Sequence, residues 1–113
     1  MKHNKLQLAL RQKLIDQYGE AAVPLEENWV DVKVSLPAEI VFYEVKSASY
    51  ATDCITEALG QILGYVFTDK DTRKKRIVVV GQYPPNESDQ NFIKYLQSQL
   101  RIEFGYEHID ILD

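Results

Sequence analysis

Residues 29–46 read Trp-Val-Asp-Val-Lys-Val-Ser-Leu-Pro-Ala-Glu-Ile-Val-Phe-Tyr-Glu-Val-Lys. Two runs rich in valine, isoleucine and aromatics, Trp29 to Leu36 and Ile40 to Lys46, flank Pro37-Ala38. This is the pattern of two strands joined as a hairpin. Side chains alternate across a strand, so Trp29, Asp31 and Lys33 share one face, and Val30, Val32 and Val34 the other. Glu44 and Lys46 likewise emerge together. A hairpin closing symmetrically about Pro37-Ala38 sets Asp31 opposite Glu44, and Trp29 opposite Lys46. Directly opposed Cβ atoms lie about 4.5–5.5 Å apart. An odd loop would send one of the acids to the other face.

Working outward, Leu6, Leu8, Leu10, Leu14, Ile15 and Tyr18 fit a helical period that Gly19 stops. Val23 to Glu27 is a short extended segment, and Pro24 suits it to a sheet edge. On the other side, Asp53 to Phe67 carries an apolar stripe of Ile55, Leu59, Ile62, Leu63 and Val66, with Thr52 or Asp53 as its cap. The charged segment 69–76 reads as a loop. The continuous apolar run within Arg76 to Gln82 then reads as an interior strand. After Pro84-Pro85-Asn86, Ser88 or Asp89 opens a helix carrying Phe92, Ile93, Leu96 and Leu100, and Tyr106 to Leu112 forms a last strand. A hairpin followed by strand–helix–strand crossovers predicts an α/β (α+β) fold with a mixed central sheet flanked by helices. With no repeat, linker or low-complexity stretch, residues 1–113 are expected to form one domain.

Composition sets the outer bounds. The chain has 113 residues, 45% hydrophobic and 27% charged, which excludes a disordered chain. No apolar run is long enough to span a membrane. Met1-Lys2-His3-Asn4 leads into an amphipathic segment instead of a signal peptide, and Cys54 has no second cysteine to pair with, so a cytoplasmic location is expected. Cys54, His3 and His108 are too few for a zinc site, and Cys54 reads as a small buried residue. The net charge is −4, which argues against coating nucleic acid nonspecifically. Yet Lys70, Arg73, Lys74, Lys75 and Arg76 hold five of the 13 basic residues. Such a cluster serves either as a phosphate-binding patch or as a solvated loop.

Two carboxylates as close as Asp31 and Glu44 repel each other unless a cation lies between them. Oxygen-only ligands suit a hard divalent ion such as Mg²⁺, whose shell is filled by water and substrate phosphate. Lys46 reaches the same place with a positive charge, able to orient an attacking water or neutralise a phosphorane-like transition state. The set is coherent for phosphodiester hydrolysis. The same three residues would also suit a solvated strand face carrying exposed ion pairs.

Asp31, twelve intervening residues and then Glu44-Val45-Lys46 resemble the D-x(n)-(D/E)-x-K signature of the PD-(D/E)xK nuclease superfamily. Residues 57–65, Glu-Ala-Leu-Gly-Gln-Ile-Leu-Gly-Tyr, are similar to the helix that follows the signature in its RecB-like branch. Gln61 and Tyr65 stand for its Q-x-x-x-Y pattern and share a helix face. The resemblance covers roughly residues 18 to 111, and Val30 stands where the family has the proline of its name. It implies a restriction-endonuclease-like core, α-β-β-β-α-β, with an added helix and strand at the C-terminus. It also implies a restriction- or repair-type deoxyribonuclease using Mg²⁺, with Mn²⁺ as a substitute. Asp31, Glu44, Lys46, Gln61 and Tyr65 would be catalytic. Asp31, Glu44, Val45 and Glu26 would hold the metal, with Glu27 and Glu20 as alternatives for the last position. DNA would be the partner, and specificity would come from a homodimer or an attached domain. A catalytically silent module of the same fold, binding nucleic acid or protein, is the alternative.

Overall fold

The structure is a computed structural model and describes residues 2–24 and 31–111. Its elements are α1 (Lys2–Tyr18), a 3₁₀ turn (Glu20–Ala22), β1 (Val32–Ser35), β2 (Glu39–Val45), α2 (Ala51–Thr68), β3 (Lys74–Gly81), α3 (Glu87–Gln99) and β4 (Glu103–His108). They build a mixed four-stranded sheet in the order β1-β2-β3-β4. β1 pairs antiparallel with β2, while β3 and β4 follow in parallel, each joined to its predecessor by a helical crossover. This is the α/β architecture with a mixed central sheet that the hydrophobic patterning predicts.

Alternation along β2 explains the layers. Val41, Tyr43 and Val45 pack with Val32, Val34, Val78 and Val80 against Leu6, Leu10 and Leu14 of α1. Ile40 and Phe42 pack with Ile77, Val79 and Phe104 against Cys54, Ile55, Ala58 and Ile62 of α2 and Leu96 of α3. Strands covered on both faces read as unbroken apolar runs, which is why β2 and β3 are the interior pair. In β1 and β2 the register pairs Val32 with Tyr43, Lys33 with Phe42, Val34 with Val41 and Ser35 with Ile40. That is the symmetric closure about Pro37-Ala38.

Several boundaries differ from the sequence reading. β3 begins at Lys74, so part of the charged segment is strand, not loop. β4 spans Glu103–His108 instead of 106–112, because Phe104 is drawn into the core below α3. Ahead of α2 the described residues contain two strands, not three. Val23 follows the 3₁₀ turn as a fully buried residue, and the rest of the proposed extended segment, from residue 25, lies outside the described residues. Gly19, at φ 91, adopts a left-handed conformation that a larger residue would strain, and it ends α1. A Cβ at Gly81 would collide with the Tyr106 hydroxyl, so the end of β3 is held to glycine by β4.

The start of α2 is capped from another element. Tyr50, not Thr52 or Asp53, occupies its N-cap position and supplies no side-chain hydrogen bond. Asp89, 3% exposed on α3, accepts from the Thr52 amide at 3.1 Å and the Thr52 hydroxyl at 2.6 Å. The same carboxylate accepts the Asn86 amide at 2.9 Å while Asn86 accepts from Asp89, completing a capping box for α3. One buried side chain therefore serves two helix starts. Burial alone would raise its carboxyl, but hydrogen bonds from the Thr52 side chain and from the amides of Asn86, Thr52 and Ala51 outweigh burial and hold it low. Its contribution to stability is present above the usual carboxylate range and is lost as pH falls through the lowered value. Asp89→Ala should cost about 1–3 kcal/mol at neutral pH in urea unfolding, and the loss should shrink as the wild type is acidified.

Candidate active site

Asp31 immediately precedes β1, and continuing the register beyond Val32↔Tyr43 sets it opposite Glu44. Its Oδ2 accepts the main-chain amide of Val45 at 2.9 Å. His3 Nε2, from the first turn of α1, lies 3.3 Å from the same oxygen, and Gln7 donates to the Asp31 carbonyl at 2.9 Å. The aspartate is thus clamped between α1 and β2. Where the β1 ladder stops, its carboxylate takes the strand amide that would otherwise lose a partner.

Glu44 follows Ile40 and Phe42 on the α2 face of β2 and is 3% exposed. Lys46 lies just beyond the strand, its amide donating to Val80 at 2.9 Å to extend the parallel ladder. Parity returns its side chain to the same face, and Nζ stands 3.7 Å from Glu44 Oε2. Nζ also donates to Gln61 Oε1 at 3.3 Å, and Gln61 Nε2 donates to the Tyr65 hydroxyl at 2.8 Å. Gln61 and Tyr65 meet because they are four apart on α2. A continuous polar chain therefore runs Glu44–Lys46–Gln61–Tyr65, joining the end of β2 to one flank of α2.

The metal ligands inferred from the sequence fare unequally. Asp31 falls opposite Glu44 when the β1 register is continued, and its carboxylate contacts the Val45 amide and His3 of α1. Val45 is fully buried against α1, so only its main-chain carbonyl remains to ligate. Glu26 and Glu27 lie outside the described residues, and Glu20 sits exposed on the 3₁₀ turn. Among the described residues, no group of three or more His, Cys, Asp or Glu side chains could hold a metal ion. The donor set that remains, two carboxylates and a carbonyl, is all oxygen and fits a hard cation such as Mg²⁺, which needs few protein ligands.

Of the basic segment, Lys70 lines a cavity that Gln61 and Tyr65 also line, while Lys74 to Arg76 lie away from Glu44. Lys74 pairs with Glu39 at the opposite end of β2, five residues from Glu44, or about 16 Å along the strand. Three of the segment's charges are paired within the fold. Arg73 binds Asp71 at 2.8 Å and donates to the Leu36 carbonyl at 2.7 Å and Ser35 Oγ at 3.0 Å. Its side-chain hydrogen bond holds the Asp71 carboxyl well below the usual range. Lys74 and Arg76 pair with Glu103, and Arg76 also with Glu39. Cys54 is fully buried, and burial pushes its thiol up to about 11.

Beside Gln61 and Tyr65 a cavity of about 890 Å³ opens along α2, with Lys33 and Phe42 on the sheet side and Asp69, Lys70 and Asp71 also in its lining. Lys33 lies 5.3 Å from the centre of the Phe42 ring and 2.9 Å from Asp69 Oδ2. Sequence reasoning missed Lys33 and His3. Parity placed Lys33 on the Asp31 face, but its partner is 36 residues away, and His3 is 28 residues from Asp31.

No protein-family model, curated protein or solved structure matches this chain.

The Lys33–Asp69 pair is 18% and 9% exposed at its two side chains. Burial raises the Asp69 carboxyl, but the Lys33 ammonium and the Asp71 amide outweigh it and hold the group low. Its stabilising contribution is therefore present above the usual carboxylate range and lost on acidification. Lys33→Met should destabilise by about 1–3 kcal/mol at pH 7 in urea unfolding. It should also raise the pH at which stability starts to fall, since burial then acts on Asp69 without its cation.

Proposed function

We propose that the chain is a metal-dependent nuclease of the PD-(D/E)xK type, hydrolysing phosphodiester bonds in DNA in the cytoplasm with Mg²⁺ or Mn²⁺. The family reading rests on this chain's own residues. The observation that carries it is the 3.3 Å bond from Lys46 Nζ to Gln61 Oε1. It unites two separate resemblances, the Asp31…Glu44-Val45-Lys46 signature on the hairpin and the Gln61/Tyr65 pair on the next helix. A solvated strand face would not require the lysine to meet the helix, nor Glu44 to be 3% exposed.

Each residue then has a chemical part. Asp31 Oδ2 is fixed by the Val45 amide, leaving Oδ1 as the oxygen a cation would use. Glu44 and the Val45 carbonyl complete the ligands available on β2. A divalent ion bound there supplies Lewis-acid polarisation of the phosphate and lowers the pKa of water. Lys46 contributes a fixed positive charge beside the carboxylates, positioned to orient the attacking water and to offset charge growing on the phosphoryl oxygens. Gln61, braced by Tyr65, holds Lys46 in that position. Specificity for a particular DNA would come from a second copy or an attached domain.

The shortage of acids among the described residues favours one other reading, a silent module of the same fold. Calorimetric titration with Mn²⁺ and nicking of supercoiled plasmid in Mg²⁺ or Mn²⁺ separate the two. The nuclease reading predicts metal binding and nicking, both abolished by Asp31→Ala or Glu44→Ala. Lys46→Ala should keep the metal while the rate falls about 10²-fold or more. Metal bound without nicking would support the silent module, and neither binding nor nicking would overturn the metal-dependent reading.

A further inference from the structure

We infer that the outward flank of α1 binds the phosphate backbone of the substrate DNA, with Lys2 and Lys5 contacting phosphates beside the candidate site and Lys13 one further along. The inference rests on the hydrolytic reading above and adds where the polyanion docks. Residues 2–18 hold four basic side chains, Lys2, Lys5, Arg11 and Lys13, against one acid, Asp16. From totals of 13 and 17, the rest of the chain is left with nine basic side chains against sixteen acidic ones. α1 is therefore a positive element on an otherwise strongly acidic protein. At 3.6 residues per turn, Lys2, Lys5 and Lys13 fall within about 80° of one another around the helix. All three are exposed, and none enters an ion pair among the described residues. Arg11 turns aside to the Val23 carbonyl at 3.1 Å. The cations of the sheet differ, because Lys33, Lys46, Arg73, Lys74 and Arg76 each have a carboxylate partner.

Folding does not call for this charge. The first turn of α1 contains no acid, and the positive end of the helix dipole disfavours the two lysines placed there. Their position identifies the anion that would match them. His3, between Lys2 and Lys5 in the chain, reaches Asp31 Oδ2 at 3.3 Å, and Gln7 donates to the Asp31 carbonyl at 2.9 Å. The first two turns of α1 therefore stand at the candidate site, and a helix is only about 10–12 Å across. A strand with one phosphate at Asp31 and Lys46 carries further charges every ~3.4 Å of its axis, so neighbouring phosphates come within reach of Lys2 and Lys5. Lys13 lies eleven residues beyond Lys2, about 16 Å along the helix. A row of that length matches a run of phosphates, not a single anion. It also answers the repulsion that a net charge of −4 would otherwise exert on a polyanion.

The test measures binding of a short labelled DNA duplex across a salt series, in EDTA so that hydrolysis plays no part. Lys2→Gln/Lys5→Gln should weaken binding about 10-fold or more at about 0.1 M salt and flatten the salt slope by up to about two units, one for each lost contact. Lys94→Gln/Arg101→Gln removes the same charge from α3 and the turn after it, and should leave the slope unchanged. Amide shifts in the wild type give a reading that needs no variant: the duplex should move residues 2–13 of α1. An unchanged slope in the α1 variant, equal flattening in both variants, or shifts that avoid α1 would overturn the inference. So would binding of the wild type to phosphatidylserine vesicles but not to the duplex. Duplex held on α1 by a protein that never nicks plasmid in Mg²⁺ or Mn²⁺ would sink the hydrolytic reading and leave this surface standing. Nicking with an unchanged slope in the α1 variant would remove the surface alone.

Discussion

A carboxylate buried on the apolar face of a sheet must be matched by nearby positive charge, and the surroundings of Glu44 follow from that constraint. Removing the partner of a buried ion typically costs about 3–5 kcal/mol, so the lysine cannot wander. Lys46 is the first residue past Glu44 that strand parity returns to the same face. It approaches Glu44 at 3.7 Å and is tethered by Gln61, which Tyr65 braces in turn. This arrangement requires α2 to lie across the face of β2 and β3, which the right order of parallel strands and the crossover between them provide.

The two other helices stabilise the site from opposite sides. α1 seats Leu6, Leu10 and Leu14 in the core and thereby brings His3 and Gln7 onto Asp31. α3 contributes Asp89, which fixes the start of α2 and, through it, the course of the helix that carries Gln61. The catalytic reading thus depends on contacts in all three layers. It does not depend on Arg73, Lys74 and Arg76, which close the far end of the sheet through Asp71, Glu103 and Glu39.

Local patterning was enough to read the hairpin. Alternation and an even loop about Pro37-Ala38 specify the register, so the pairing of Val32 with Tyr43 and of Ser35 with Ile40 was legible without coordinates. The helical spacing of Gln61 and Tyr65 was legible for the same reason. What could not be read were partners separated by many residues: Asp89 on the Thr52 amide, Lys33 on Asp69, and His3 on Asp31. No periodicity links such positions, because they meet only after the sheet has chosen its order. Charge density was undecided for a related reason. Lys70 to Arg76 stayed open between a patch and a solvated loop because the sequence does not reveal that Glu39 and Glu103 match Lys74 and Arg76, while Arg73 binds Asp71 within the segment.

The central claim is that Asp31 and Glu44 hold one divalent ion beside Lys46. Paramagnetic broadening of amide resonances by substoichiometric Mn²⁺ locates a bound ion without requiring turnover or a variant. The account predicts loss of signal centred on Asp31, Val45 and Lys46, reaching Gln61, while Lys74 to Arg76 at the other end of the sheet stay sharp. Broadening centred on Asp69 and Asp71, or uniform weak broadening with no centre, would contradict it.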